Sequence, residues 1–125
     1  MPTNTTRRLL GQQGEGVVTQ HLLGLGWQLV ERNWRCRAGE IDLIMQDGKT
    51  LVIVEVRTRR GKVAMENALA SVNARKQAKL MELTATYRLE KNIDDTTPIR
   101  VDVVGVALAT DGTFAIKVIH DALSW

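Results

Sequence analysis

Two carboxylate side chains in this sequence stand on neighbouring segments that alternate like β-strands. Asp42 lies within residues 39–45 and Glu55 within residues 51–58, and an Asp-Gly pair at position 47 separates the segments. An Asp-Gly pair between two strand-like segments favours a hairpin. A loop of two or four residues places both carboxylates on one face, whereas a three-residue loop separates them. The spacing therefore predicts an acidic pair, on condition that the turn has an even length.

Two carboxylates this close need a cation, because they repel each other and burial raises the pKa of at least one. Mg²⁺ suits such a pair, since it takes one or two carboxylates, keeps several waters and needs no histidine. Arg57 follows Glu55 by two residues and therefore shares its face. A metal beside a permanent positive charge can hold a phosphate group and lower the barrier to its attack by water.

A surface hairpin explains the same residues without any chemistry. In that interpretation Glu40, Asp42, Glu55 and Arg57 form ion pairs on one solvated face of an edge hairpin. The apolar run at residues 51–54 argues against it, because a strand that is apolar on both faces is typical of the centre of a sheet. Periodicity alone leaves the two interpretations equally open.

An acidic residue also extends the apolar stripe of the first predicted helix, residues 11–25. The stripe runs through Leu25, Leu22 and Val18, and the next position on it is Glu15. A carboxylate at this position is predicted to face the core or a cleft beside it.

A lysine interrupts the apolar stripe of the long second helix, predicted over residues 72–91. Lys76 lies among Val72, Leu80, Leu83 and Tyr87, at a position where an apolar residue is expected. Lysine can extend to solvent from such a position at little cost. Alternatively, Lys76 and its neighbour Gln77 reach the sheet cleft and meet a phosphate or a carboxylate. Both interpretations stay open.

The elements that must position these residues follow the order α-β-β-β-α-β-β. This order predicts an α/β (α+β) fold with a central mixed sheet flanked by helices, in a single domain over residues 1–125. Ser71 is the predicted N-cap of the second helix, and residues 61–70 are ambiguous. The predicted elements are a helix at 11–25, strands at 27–34, 39–45 and 51–58, a helix at 72–91, and strands at 99–109 and 114–120.

Basic residues cluster before the second predicted strand and at the end of the third. If the strands are neighbours, both clusters flank the same end of the acidic pair, as a basic rim suited to a polyanion. Only 4% of residues are aromatic, so the phosphate backbone is a better target than stacked bases. Taken singly, each cluster is slightly better explained as a solvated strand end. The clusters are Arg32, Arg35 and Arg37, and Arg57, Arg59, Arg60 and Lys62.

The composition is that of an ordinary globular chain. Its 125 residues are 44% hydrophobic and carry a net charge of +3. The single cysteine, Cys36, excludes an internal disulfide and a thiolate zinc cage. No signal segment is recognisable, and the longest apolar run is far short of the roughly 20 residues that span a bilayer. These features predict a reduced, cytoplasmic protein without membrane contact, with Trp27 and Trp34 in its core and Trp125 as a tail anchor.

Four segments together resemble the YraN-like family of uncharacterised bacterial proteins, in order and over nearly the whole chain. They are Gly14-Glu15, Gly39-Glu-Ile-Asp-Leu-Ile44, Val54-Glu-Val-Arg-Thr-Arg59 and Arg100-Val-Asp-Val-Val104. That family is similar to the restriction-endonuclease-like, or PD-(D/E)XK, nucleases and especially to archaeal Holliday junction resolvases. The resemblance implies the same core of a helix, a three-stranded meander, a helix and further strands.

The resemblance also implies a role for each charged residue singled out above. Asp42, Glu55 and Glu15 would be ligands of Mg²⁺ or Mn²⁺, and Arg57 stands at the position of the nuclease lysine. Catalysis would involve these four and Lys76, on the helix that packs against the active face. The expected nucleic-acid contacts are Arg35, Arg37, Arg59, Arg60, Lys62 and Gln77.

Three candidate functions follow from these observations. The first is a metal-dependent nuclease acting on DNA, including branched or damaged structures, and dimeric by analogy with resolvases. The second is a non-catalytic nucleic-acid-binding or DNA-processing accessory domain of the same fold, and a protein-interaction module is a third. Arg57 bears on the choice between the nuclease and the accessory domain. Arginine does not release its proton as lysine can, so it only orients water or stabilises charge.

Overall fold

The structure, a computed structural model, describes residues 4–123 as a five-stranded sheet with three helices. The strands lie side by side in chain order, with β3 parallel to β4 and the other neighbours antiparallel. This confirms the α+β fold with a mixed sheet. The elements are α1 (Asn4–Gly24), β1 (Gln28–Cys36), β2 (Gly39–Asp47), β3 (Thr50–Arg60), α2 (Ala64–Ala70), α3 (Ala74–Glu90), β4 (Ile99–Leu108) and β5 (Phe114–Ile119).

The crossover between the parallel strands β3 and β4 contains two helices rather than the single predicted one. The ambiguous segment forms α2, and Ser71 lies at its C-terminal end, where its Oγ donates to the carbonyl of Ala68 at 2.6 Å. Asn73 instead caps α3, because its extended backbone lets Oδ1 accept the backbone N–H of Lys76 at 3.0 Å. The prediction of Ser71 as the N-cap is therefore wrong.

The first helix begins earlier than predicted and ends one residue sooner. It ends at Gly24, and Gly26 has a positive φ of 91° that turns the chain toward β1. Leu25 consequently lies outside the helix and is 57% exposed, so its place on the buried stripe is wrong. Val18 and Leu22 are fully buried, as predicted.

Apolar side chains cover both faces of the sheet, and β3 lies at its centre. On one face, α1 packs through Val18 and Leu22 against alternate residues of β2 and β3. On the other face, α3 packs through Leu80, Leu83 and Tyr87. The two covered faces explain why residues 51–54 are apolar without alternation.

Two of the three tryptophans lie in the core, as predicted. Trp27 is 8% exposed and Trp34 is 5% exposed. Trp125, the predicted tail anchor, lies outside the described residues. Within residues 4–123, no helix combines the length and the apolar character that a membrane span requires.

Candidate functional site

The β2–β3 hairpin turns through a two-residue loop, one of the lengths that bring the predicted acidic pair together. The ladder of paired residues runs from this turn as far as Leu43 opposite Val54. The next pair in the same register is Asp42 opposite Glu55. The carboxylates therefore face each other where the paired part of the hairpin ends.

Asp42 occupies the place where the two strands stop pairing. Its Oδ2 accepts the backbone N–H of Val56 at 2.9 Å, so a side chain satisfies a donor beyond the end of the ladder. Burial, together with repulsion by Glu55 and a hydrogen bond between the two carboxyl groups, raises the pKa of Asp42 to about 8. Without a bound metal ion, the pair therefore retains a proton at neutral pH.

Two cations from different elements hold Glu55. Its side chain is only 4% exposed, and Oε2 lies 3.0 Å from Arg57 Nη2 and 3.3 Å from Lys76 Nζ. Lys76 thus meets a carboxylate across the face of the sheet, as one of its two sequence interpretations predicted. Removal of either cation would leave a buried carboxylate less compensated, which is costly in a protein interior.

Glu15 approaches this pair from α1. It is half-buried, and burial followed by repulsion from Glu40 and Glu55 raises its pKa, against the opposing effect of Arg32. Glu15 is thus a third carboxylate within electrostatic reach of Asp42 and Glu55.

A glycine lets α1 lie close enough to β3 for Glu15 to reach the site. Gly14 is packed against Thr58, and a Cβ added to Gly14 would overlap the Thr58 hydroxyl oxygen. Any larger residue would force the helix and the strand apart. Gly14 therefore allows the close contact between α1 and β3, and this contact holds the next residue, Glu15, near the acidic pair.

Asn33 is a site residue that the sequence analysis missed. It has a positive φ of 50° within β1, which interrupts the pairing opposite Asp42. In the amide orientation that satisfies both groups, its Nδ2 donates to Glu15 Oε1 at 3.2 Å and to Glu40 Oε1 at 2.8 Å. The only signal in the sequence is that asparagine tolerates positive φ better than other residues with a side chain.

The predicted basic clusters lie at the same end of the sheet as the acidic pair. Because β1 and β3 are both antiparallel to β2, the end of β1, the start of β2 and the end of β3 coincide. Four of the predicted nucleic-acid contacts are exposed there, and Arg59 is half-buried, with Nη1 donating to the Thr58 carbonyl at 2.8 Å. The four exposed residues are Arg35, Arg37, Arg60 and Lys62.

Gln77 and the acidic residues make contacts that the sequence analysis did not predict. The amide nitrogen of Gln77 donates to the carbonyl of Val72 at 3.0 Å, so it holds the start of α3. In the described part of the chain, no three Asp, Glu, His or Cys side chains form a ready-made metal cage. Of the three predicted ligands, Asp42 and Glu55 pair with each other, whereas Glu15 is bound by Asn33.

The chain matches the model of one protein family over residues 14–106, described as the uncharacterised protein family UPF0102. The chain belongs to this family. A UPF0102 protein of Clavibacter michiganensis is 42% identical over 118 residues, which cover 94% of this chain and 98% of that protein. A UPF0102 protein of Methylococcus capsulatus is 44% identical over 106 residues, covering 85% of this chain and 84% of that protein. The expected membership of the YraN-like bacterial family is confirmed.

A second buried carboxylate in this UPF0102 protein stabilises the fold. Asp102 of β4 is fully buried and lies 3.0 Å from Arg100 Nε and 2.9 Å from His120 Nδ1. It also accepts the backbone N–H of Asp121 at 2.9 Å. These contacts join the end of β5 to β4, which accounts for the aspartate in the segment at residues 100–104.

Proposed function

We propose that this protein is a metal-dependent nuclease that hydrolyses phosphodiester bonds in DNA, with branched or damaged structures as its substrates. The observation that carries the proposal is the Asp42–Glu55 pair at the opening between β2 and β3, with Arg57 and Lys76 bound to Glu55. An acidic pair bordered by fixed cations suits a reaction in which negative charge develops on a phosphate group. The restriction-endonuclease-like resemblance of the sequence motifs supports the same reaction.

The donor set fits a divalent cation. Asp42 and Glu55 offer carboxylate oxygens, and the raised pKa of Asp42 indicates that the pair does not hold two negative charges unaided. Mg²⁺ or Mn²⁺ would be held by this pair, with water and Glu15 nearby to complete its surroundings. When bound, the cation would supply Lewis-acid stabilisation of the phosphate oxygens.

The protein's own residues supply the remaining functions. Arg57 orients Glu55 and stabilises charge on the phosphate through its guanidinium group. Lys76 holds Glu55 from the other side. Glu15 is assigned the positioning of the attacking water, because it is half-buried near the acidic pair and because burial and the neighbouring carboxylates raise its pKa, which makes it a better proton acceptor.

The basic residues at this end of the sheet would follow the DNA backbone. Arg35, Arg37, Arg60 and Lys62 are exposed there and suit contacts to phosphate, which carry shape rather than sequence information. The proposal also includes a cytoplasmic location and, by analogy with resolvases, a homodimer that cuts both strands.

One observation favours a second function, a nucleic-acid-binding accessory domain without catalysis. Arg57 stands where the nucleases that these motifs resemble carry a lysine, and its guanidinium binds Glu55, whereas a lysine that has lost its proton can help to activate water. Such a domain would bind DNA through the same basic surface and would leave it intact.

A cleavage assay with matched variants tests the proposal. Wild-type protein and Asp42→Asn are incubated with a panel of linear, nicked and branched DNA in Mn²⁺, with Glu66→Gln as the control because Glu66 is exposed on α2. We expect cleavage by the wild type and Glu66→Gln, and a loss of at least about 100-fold in Asp42→Asn. Equal cleavage by all three proteins would reveal a contaminating nuclease and contradict the proposal. DNA binding without cleavage by any of them would support the accessory domain.

A further inference from the structure

A cleft of about 500 Å³ lies between the first turns of α1 and the end of β3. Its β3 wall includes Arg57, the residue that also binds Glu55. The cleft and the acidic site therefore share one residue, Arg57. The sequence analysis singled out the β3 arginines of this cleft but not its α1 wall, which is built by four residues that precede Gly14.

The charged side chains that line this cleft are all positive. Four of its nine lining residues are arginines, and the described lining contains no acid. The arginines are Arg7 of α1 and Arg57, Arg59 and Arg60 of β3. Arg57 pairs with Glu55, whereas the other three form no ion pair with a carboxylate of the described residues. Arg7 and Arg60 are thus exposed and not neutralised by a carboxylate, and Arg59, which is half-buried, has only its Nη1 donating to the Thr58 carbonyl among the hydrogen bonds of the described residues.

The arginines are close enough to repel one another. Burial and the proximity of Arg57 and Arg7 lower the pKa of Arg59. On the same strand, the buried Arg57 Nε has no hydrogen-bond partner in the described part of the chain. An anion bound between α1 and β3 would relieve the repulsion and give the guanidinium groups acceptors.

Phosphate is the anion that this arrangement recognises best. One guanidinium group can bind two phosphate oxygens at once, and several converging arginines add further hydrogen bonds of this kind. The cleft is larger than a single phosphate, and Leu10 and Val56 provide apolar lining for the sugar that a nucleotide carries. Its size and lining therefore suit a phosphate attached to a nucleic-acid strand.

We infer that the cleft binds a phosphate of the substrate strand adjacent to the one that faces Asp42 and Glu55. The inference rests on the proposed function for its substrate class. By holding the neighbouring phosphate, Arg7, Arg59 and Arg60 fix where the strand crosses the acidic pair. Arg57, which lies between the two places, contacts both.

Binding without catalysis tests this inference. Fluorescence anisotropy measures the affinity of the full chain for short duplexes in EDTA, for the wild type and for Arg7→Gln and Arg59→Gln. The control is Arg8→Gln, an exposed arginine on the same turn of α1 that does not line the cleft. We expect each cleft variant to lose about fivefold or more in affinity and about one unit of salt slope, while the control stays within about twofold of the wild type.

Duplexes with a 5′-phosphate or a 5′-hydroxyl identify the source of the phosphate. Equal wild-type affinity for both, with equal losses in the cleft variants, would assign an internal backbone phosphate. A preference for the phosphorylated end that disappears in Arg7→Gln would assign a terminal phosphate. Cleft variants that bind like Arg8→Gln, or a wild-type chain that does not bind at all, would overturn the inference. Because no step needs cleavage, a failure of the nuclease proposal leaves these results interpretable.

Discussion

At the scale of single residues, Asp42 shows how a site can be unfavourable to the fold that carries it. Its carboxyl group satisfies the N–H of Val56 and at the same time faces Glu55 in a buried gap. The hydrogen bond stabilises the end of the hairpin, whereas the second negative charge, which forms as the pH rises towards 8, destabilises it. Function is a frequent reason for retaining such a conflict.

Substitution of Asp42 by Asn should therefore stabilise the metal-free protein, increasingly so at higher pH. The pKa of Asp42 is raised from 3.8 to about 8, so between these values the folded state binds more protons than the unfolded state. Wild-type stability then falls as the pH rises from 3.8 to about 8, whereas Asn stays neutral. We expect a gain on the order of 1–3 kcal/mol at pH 8 and a smaller gain at pH 5.

Thermal unfolding in EDTA at both pH values measures this difference. The exposed residue Asp95 provides the control, because Asp95→Asn should change the free energy of unfolding by less than about 0.5 kcal/mol at either pH. If the free energy of unfolding falls equally with rising pH in the wild type and in Asp42→Asn, repulsion between Asp42 and Glu55 does not cause the pH dependence.

At the scale of elements, the site depends on how closely α1 packs on β3. Helix propensity alone favours alanine over glycine inside α1, by about 1 kcal/mol. At Gly14 this gain is opposed by overlap with Thr58, whereas nothing lies within 4 Å of a Cβ added at Gly16. The two glycines thus form a matched pair within one helix.

Gly14→Ala and Gly16→Ala should consequently change stability in opposite directions. We expect Gly16→Ala to stabilise the protein by up to about 1 kcal/mol and Gly14→Ala to destabilise it by about 1–3 kcal/mol. Thr58→Ala combined with Gly14→Ala should recover part of the loss, since it removes the hydroxyl oxygen and methyl group from the contact. Denaturant unfolding measures the free energy of unfolding of the wild type, the two single glycine variants and the double variant. Equal stabilisation by the two glycine substitutions would show that α1 does not pack on β3 as closely as described.

At the scale of the whole molecule, the net charge of +3 is the average of two unlike parts. Residues 1–91 contain fifteen Lys and Arg against nine Asp and Glu, and residues 92–125 contain two against five. The first part includes α1, α2, α3 and the three strands around the acidic site, and the second part includes β4 and β5. The positive charge is therefore concentrated on the elements that form the candidate site.

DNA binding by this surface should depend steeply on salt and weakly on sequence. With about five phosphate contacts, raising NaCl from about 50 to about 200 mM should weaken binding by about 10²–10³-fold. Two duplexes of equal length and unrelated sequence should bind alike, because the contacts are to phosphate. Lys117→Gln on β5 is the control, since this exposed lysine lies in the acidic part. An affinity that does not change with the salt concentration, or that differs between the two duplexes, would show that DNA binds to another surface.

The sequence by itself determined the features that arise from local chemistry. Strand alternation and the Asp-Gly pair predicted that Asp42 and Glu55 share a face if the turn has two or four residues, and the structure has a two-residue turn. The run at residues 51–54 predicted a central strand. Capping was harder, because Ser71 and Asn73 are both good caps, and only the position of α2 made Asn73 the one that α3 uses.

Only the tertiary structure decided the contacts between residues far apart in the chain. The separation of β2 from β3 at Asp42, the bridge from Asn33 to Glu15 and the contact of Lys76 with Glu55 all depend on how the helices pack on the sheet. The arginine cleft depends on the same packing, because Arg7 joins the β3 arginines only when α1 lies across the end of that strand. Periodicity describes which face a residue occupies, and it contains no information about which distant residue that face will meet.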